Sequence, residues 1–319
     1  MPRRYPHAAR GYHAAPMRFS VQLPTDAVEA GAELVSGEAV AAMARAAEDA
    51  GFDAVAVTDH PAPPARWVAA GGHHSLDPFV ALAFAAAATR RVKLLTQVVV
   101  LPYRNPFVTA KAAATLDVLS GGRLVLGVAA GYLASEFAAL GADFEVRNEV
   151  TDDAIDVLRA AWRGEPVDRI GRGFVAKGTA QLPRPAQPQG PPIWIGGNAR
   201  RAIRRAALRG DGWMPFPAPK SLAGHTRTAA LESLGDVRAG IALLREEAAR
   251  AGRTRPLDVC LVPFGFSLGA RADDLARLAD DIPRYAEAGV TWLAFTLPAP
   301  SRAAWCEAVA QLGAAVSLR

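Results

Sequence analysis

Three short clusters in this sequence carry residue types that can do chemistry. Asp59-His60 places a carboxylate beside an imidazole directly after the apolar run Val55-Ala56-Val57. Such a pair suits general acid–base work, a cofactor contact or a capped turn, and a hydrogen-bonded structural group is the commoner use of a lone histidine at a strand end. Gly196-Gly197-Asn198 follows the apolar run Ile193-Trp194-Ile195, and a helical stretch begins at Ala199. Two glycines there let backbone amides at a helix start approach an anion closely, so the turn is a candidate phosphate site. The plainer alternative is a tight turn with a solvated arginine face, since Arg200, Arg201, Arg204 and Arg205 follow at once. Tyr132, after Ala129-Ala130-Gly131, adds a phenol at a third such place.

Other patterns do less. His73 and His74 lie in a glycine-rich loop without further acceptors at ligand spacing, so no metal site is expected. Residues 171–179 faintly resemble a phosphate-binding loop, but Ala176 stands where the second glycine must be. Gly265-Phe266-Ser267-Leu268-Gly269 matches the nucleophile-elbow pattern, yet that kind of hydrolase needs its histidine later in the chain, and the last one is His225.

The elements that must position these clusters alternate. Near-continuously apolar strands are expected at 19–23, 53–58, 92–101, 123–128, 193–195, 212–214, 257–268 and 290–295. Helices are expected at 36–50, 77–89, 106–119, 133–140, 151–162, 199–209, 236–251, 273–288 and 302–318, with Asp77 as N-cap and Pro78 at the first helical position. Strands apolar on both faces and alternating with helices imply a parallel sheet, and eight such repeats favour a closed (β/α)8 barrel of the α/β class over an open sheet. Residues 164–192 break the rhythm with glycines and prolines. They read as a surface excursion between strands four and five, a hairpin with pieces at 173–176 and 180–182. In a barrel, function sits where strands end and helices have yet to begin, which is where the three clusters fall.

The composition supports this reading. The 319 residues are 51% hydrophobic and 21% charged, enough for one large core in a single domain over 17–319. Residues 1–16 lack periodicity and precede Met17, so they read as a disordered tail or a misassigned start. Two cysteines, Cys260 and Cys306, exclude a disulfide scaffold and fit a reduced cytoplasm. The longest apolar run, 79–88, falls well short of the ~18 residues a membrane span needs. A net charge of +5 with dispersed arginines and 7% aromatics suits a small anionic ligand better than nucleic acid.

Taken together, residues 46–53, Val57-Thr58-Asp59-His60-Pro61, Leu101-Pro102-Tyr103-Arg104-Asn105-Pro106, residues 115–123, residues 192–198 and Gly210-Asp211-Gly212-Trp213 resemble the bacterial luciferase-like monooxygenase superfamily, and within it the deazaflavin-dependent oxidoreductases. The resemblance runs from about Met17 to about Pro217; the last hundred residues fit only by pattern. It implies a luciferase-like TIM barrel with a flavin or deazaflavin at the C-terminal strand ends and hydride transfer at C5 of that cofactor. It implies that Asp59 and His60 face the cofactor ring and serve catalysis, that a non-proline cis peptide at Gln97-Val98 backs the ring, and that Ala130 and Gly131 join the cofactor wall. It also implies that Gly196, Gly197, Asn198 and Ala199 receive the cofactor phosphate. Some members carry a catalytic glutamate after the strand-four glycine; Tyr132 occupies that place here, a weaker proton donor.

The expected cofactor is coenzyme F420, with FMN as the alternative. The expected partner is a small organic substrate, with a homodimer as the possible assembly and neither nucleic acid nor membrane. The leading function is hydride transfer between coenzyme F420 and that substrate. The alternatives are an FMN-dependent two-component monooxygenase and a non-catalytic flavin- or deazaflavin-binding barrel.

Overall fold

The computed structural model of the chain describes residues 16–224, 227–269 and 272–317. Eight parallel barrel strands are built from nine segments: β1 (Arg18–Gln22), β2 (Ala54–Val57), β3 (Lys93–Thr96) with its continuation β4 (Val99–Val100), β5 (Leu124–Ala129), β8 (Ile193–Gly196), β9 (Gly212–Met214), β10 (Asp258–Leu261) and β11 (Trp292–Phe295). The pairing runs β3-β2-β1-β11-β10-β9-β8-β5, and β5 pairs back onto β3, which closes the barrel. The expected (β/α)8 fold is therefore present. The excursion is an antiparallel hairpin, β6 (Val167–Gly171) with β7 (Phe174–Thr179), between barrel strands four and five. Residues 1–15, nearly all of the expected tail, lie outside the described residues.

Two cores hold the barrel. Inside it pack Ala54, Ala56, Leu95, Val125, Trp194, Met214, Cys260, Trp292 and Ala294, with the Trp194 and Trp292 rings edge to face at 5.1 Å. Small residues on β2 and β11 make room for the two indoles, so the interior is filled rather than hollow. Outside, alternate strand residues such as Val55, Leu94, Leu126 and Ile195 meet the apolar faces of the surrounding helices.

Local chemistry places the helices. Ser36, Asp77 and Asn105 each accept an amide hydrogen from the first turn of the helices Gly37–Asp49, Pro78–Ala88 and Pro106–Leu119. Ser233 forms a capping box with Asp236 at the start of Leu234–Arg250.

The boundaries correct several expectations. Strand three is not continuous over 92–101, because the cis peptide Gln97-Val98 divides it. Strand seven stops at Leu261 rather than reaching 268, since Pro263 cannot donate to a ladder and Gly265 takes a positive φ of 64°. The helix expected at 151–162 begins at Arg147; its first turn is polar and Val146 caps it with no side-chain bond, so no start signal exists. The hairpin strands lie earlier than expected, turning at Gly173 with φ 77°.

Candidate functional site

The strand ends surround a cavity of about 550 Å³. Its wall includes Asp59, His60, Gln97, Val98, Ala130, Gly131, Tyr132, Gly196, Gly197 and Ala199, so ten of the eleven residues singled out from sequence share one space. Asn198 is the exception.

Asp59 follows β2 and is nearly fully buried. One carboxylate oxygen accepts from the Val100 amide at 3.0 Å and from Arg104 Nη1 at 2.6 Å, and the other accepts from Arg104 Nη2 at 2.8 Å. Burial alone would lower the Arg104 guanidinium, but its bonds and charge pairing with Asp59 leave it above its ordinary value. Both oxygens are thus engaged in tying β4 and the 101–103 turn to β2. Asp59 therefore holds these segments together at the cavity wall, where the sequence placed it.

His60 differs. Its amide donates to Ser75 Oγ at 2.9 Å, which fixes the backbone and leaves the ring to face the cavity. Trp67, on the short helix Ala65–Ala69, packs on the ring at 4.7 Å between centroids, and His73 meets it edge to face at 4.9 Å. The glycine-rich loop that yielded no metal site therefore brings His73 into the wall. Nδ1 of His60 lies 3.2 Å from Oε2 of Glu136, a fully buried carboxylate on the helix Ala134–Ala139. Glu136 also accepts from the Ala62 amide at 2.9 Å and from the Tyr103 hydroxyl at 2.9 Å. Burial pushes the Glu136 carboxyl up, but the bonds from His60, Ala62 and Tyr103 outweigh it and hold the group below its ordinary value. Burial first, then the Glu136 charge, push the Tyr103 and Tyr132 phenols above theirs, so both keep their hydrogens.

The cavity floor depends on close backbone approach. Gln97-Val98 is cis, as the resemblance implied, and both residues line the wall. Thr96 Oγ1 donates to the Gly127 carbonyl at 2.7 Å, and a Cβ on Gly127 would land on the Thr96 carbonyl oxygen. Gly131 adopts φ 78°, and a Cβ there would sit 2.6 Å from Val100 Cγ1. Only glycine lets the chain turn there toward Tyr132.

The far end is cationic. Gly197 takes φ 114°, and the helix Arg200–Arg209 starts beside it. Asn198 turns away: its side-chain amide donates to the carbonyls of Phe216 at 2.9 Å and Ala229 at 3.1 Å, and its Oδ1 accepts from the Phe216 amide at 3.1 Å. It clasps the loop after β9, and its backbone amide donates to Thr228 Oγ1 at 3.0 Å, so its side chain stands outside the cavity wall where a phosphate contact was expected. The arginines divide too. Arg201 and Arg205 line the cavity, but Arg201 pairs with the exposed Glu149 at 2.7 Å, Arg205 is buried against Asp152 at 2.5 Å, and Arg204 pairs with Glu247 at 3.3 Å outside the wall. Two cations the sequence did not flag stand in the wall instead. Arg147 and Arg227 lie over the Phe144 ring, 3.9 and 4.5 Å from its centroid. Burial, and next the charge of Arg227, lower the Arg147 guanidinium from its ordinary value. Glu145 and Glu149 offset part of this repulsion, and the positive charge that remains favours an anion.

The decoys resolve simply. Residues 171–179 form the turn and second strand of the hairpin, and Ser267 is exposed on the loop after β10. Among the described residues no three His, Cys, Asp or Glu side chains assemble to hold a metal ion.

Comparison with known proteins adds a frame. The family model described as luciferase-like monooxygenase matches residues 17–313. A Mycobacterium tuberculosis protein described as uncharacterized is 30% identical over 250 residues, covering 75% of this chain and 80% of that one. The F420-dependent glucose-6-phosphate dehydrogenase of Gordonia bronchialis is 34% identical over 194 residues, 58% of this chain and 55% of that one. The crystal structure of the monooxygenase RslO1 from Streptomyces bottropensis superposes with a TM-score of 0.77 at 21% identity, covering 95% of this chain and 99% of that one.

Proposed function

The chain belongs to the luciferase-like monooxygenase family, and on that premise we propose that it transfers a hydride between coenzyme F420 and a small uncharged alcohol or its carbonyl partner. The observation that carries this reading is the cation group Arg147, Arg201 and Arg227 beside the Gly196-Gly197 turn. FMN and the deazaflavin both end their ribityl chain in a phosphate, which the turn and the first amides of the helix Arg200–Arg209 suit equally. Only the deazaflavin continues into further carboxylates, and extra guanidiniums beyond the turn answer that tail. The similarity to an F420-dependent dehydrogenase supports the same choice.

The residues present fit such a cofactor. Gly196, Gly197 and Ala199 line the cavity with little or no side chain, so a phosphate can approach there although the Gly197 amide itself donates to the Met214 carbonyl at 3.3 Å, and the Gln97-Val98 bulge offers a flat backing for a ring. When bound, the deazaflavin supplies a C5 that takes or returns the hydride. His60 then receives the substrate hydroxyl proton on oxidation, or donates it to the carbonyl oxygen on reduction. Asp59 keeps β4 in register with β2, and Trp67 and His73 hold the His60 ring. The substrate is assigned as uncharged from the distribution of charge. Among the described residues, every cation lining the cavity comes from the segments after β5, β8 and β9, whereas Cys260, Val262 and Ala294 line the side of β10 and β11. A phosphorylated sugar would find no guanidinium there.

Paired fluorescence titrations test the cofactor. Coenzyme F420 should bind more tightly than FMN, and raising salt should narrow the gap, because exposed ion pairs are weak and screened. Arg147→Ala with Arg227→Ala should cost F420 about tenfold in affinity and FMN much less. Tighter FMN binding at both salts would overturn the assignment and favour a flavin monooxygenase. F420 binding without hydride transfer to any alcohol or carbonyl would favour a non-catalytic binding barrel.

We also propose a homodimer. Val80, Phe84 and Val108 are 60%, 51% and 64% exposed on the neighbouring helices Pro78–Ala88 and Pro106–Leu119, an apolar face that association would cover. Light scattering after gel filtration should give twice the 33.5 kDa chain mass, and Val80→Glu with Phe84→Glu should return the monomer. A monomeric wild type at high concentration refutes this. The unpaired thiols of Cys260 and Cys306 support a reducing cytoplasm as the setting. Among the described residues no helix is long and apolar enough to cross a membrane.

A further inference from the structure

Glu136 has no counterpart among the clusters that suggested chemistry, yet it is the carboxylate nearest the His60 ring. It lies 76 residues further along the chain, fully buried, and three donors converge on it. Oε1 accepts from the Ala62 amide, and Oε2 accepts from the Tyr103 hydroxyl. The third neighbour of the carboxylate is Nδ1 of His60 at 3.2 Å.

The chemistry of these groups fixes the direction of that third bond. An ionised carboxylate has no hydrogen to give, so a neutral imidazole beside it must donate from Nδ1. Its other nitrogen, Nε2, is then a lone-pair acceptor. Among the described residues none hydrogen-bonds Nε2, and the ring lines the cavity. The remaining polar neighbours do not compete for Nδ1. Nδ1 of His73 is engaged with the His74 carbonyl at 2.8 Å, and the Tyr132 ring centroid is 6.3 Å from that of His60. Trp67 contributes only a ring face.

The geometry points to Glu136 as the positioning residue for His60: the buried carboxylate holds the Nδ1–H form of the ring, so that Nε2 is the acceptor facing substrate. This deepens the hydride-transfer reading, because alcohol oxidation needs a base at that point of the cavity. With Nε2 as acceptor, the hydroxyl proton moves to it, the carbinol C–H bond delivers the hydride to the cofactor, and the oxygen is left as a carbonyl. In reverse the imidazolium returns that proton. Glu136 touches neither substrate nor cofactor and acts only through the ring.

Glu136→Gln separates positioning from mere packing. The amide has nearly the same shape, and because the Ala62 amide can only donate, the carbonyl oxygen must take the place of Oε1. The nitrogen then stands in the place of Oε2, where it donates, so the Tyr103 hydroxyl turns to accept and Nδ1 is forced to accept, which moves the ring hydrogen to Nε2. The readout is the nitrogen-15 signature of the His60 ring in the cofactor-free protein at about pH 8.5, where ordinary imidazoles are neutral. The His60 resonance is assigned by its loss in His60→Ala. Wild type should show the Nδ1–H tautomer, Tyr103→Phe should keep it, and Glu136→Gln should show Nε2–H. With a substrate in hand, Glu136→Gln should lower kcat by roughly a hundredfold while KM changes little, as expected for a misplaced tautomer.

An Nε2–H wild type, or the same tautomer in wild type and Glu136→Gln, would overturn the proposal. The wild-type spectrum decides this even if the variant folds poorly. The result is independent of which flavin binds, so preference for FMN would refute the function while leaving this inference standing, and the converse holds too.

Discussion

Replacing His60 by alanine is expected to remove most turnover and leave the fold in place. A positioned proton carrier contributes roughly 10²–10⁴-fold to rate, and the second imidazole of the wall, His73, is tied by Nδ1 to the His74 carbonyl and lacks the Glu136 contact that orients His60. Tyr132 lies nearby, but burial followed by the Glu136 charge pushes its phenol away from neutral pH. The structural cost is contained. The backbone bond to Ser75 does not involve the ring, and Glu136 retains the Ala62 amide and the Tyr103 hydroxyl. Losing one donor to a buried carboxylate costs about 1–3 kcal/mol, a melting shift rather than unfolding. The expected pair of results is an unchanged far-UV spectrum and a kcat down at least a hundredfold. Intact turnover would make His60 a turn residue and remove it from the mechanism.

Gly127→Ala should be the most damaging small change in the barrel. The added methyl would land on the Thr96 carbonyl oxygen and come within 3.0 Å of Met214 Sδ. Gly127 lies in β5, buried on both faces, so neither strand can yield without breaking the Leu94–Leu124 or Gly127–Trp194 register. Overpacking of backbone against backbone exceeds the usual ~1–3 kcal/mol for an extra methylene. A destabilisation of about 3 kcal/mol or more is expected, with cofactor affinity lost as the adjacent Gln97-Val98 bulge shifts. Gly224→Ala is the control, since a Cβ there meets nothing within 4 Å. Chemical denaturation of both variants checks the difference; equal midpoints would mean that the barrel floor is softer than its packing indicates.

How far the sequence disclosed all this follows from how local each signal is. Asp77 and Pro78 start their helix through bonds to Phe79 and Val80, so a short window reveals them. The eight strands are legible for a similar reason: strands covered on both faces are apolar throughout. Strand-end position brought His60, Gly131 and Gly197 to the site. Glu136 was invisible because its meaning lies in the distant Ala62, Tyr103 and His60. Arg147 and Arg227 were missed because they meet only across Phe144, in segments without periodicity. Asn198 shows the converse. It stands beside residues that face the cavity, yet the carbonyls of Phe216 and Ala229 take its side chain. Sequence neighbours in a βα turn point to different sides, and only tertiary partners decide which.

The one-sided placement of the guanidiniums gives the rim a direction. Arg147, Arg201 and Arg227 belong to adjoining sectors of the barrel mouth. A field of that shape reaches about 8–10 Å into solution at physiological salt, beyond the contact distance of any single side chain. A ligand with negative charge at one end and a neutral ring at the other is therefore turned before it touches the protein. Its charged end is drawn to the β5–β8–β9 side, and its ring is left to swing toward β2 and β11. Such steering acts on the encounter rather than on residence. Added salt should slow arrival far more than it hastens departure, and the cavity sorts orientations of one ligand as well as ligands of different charge.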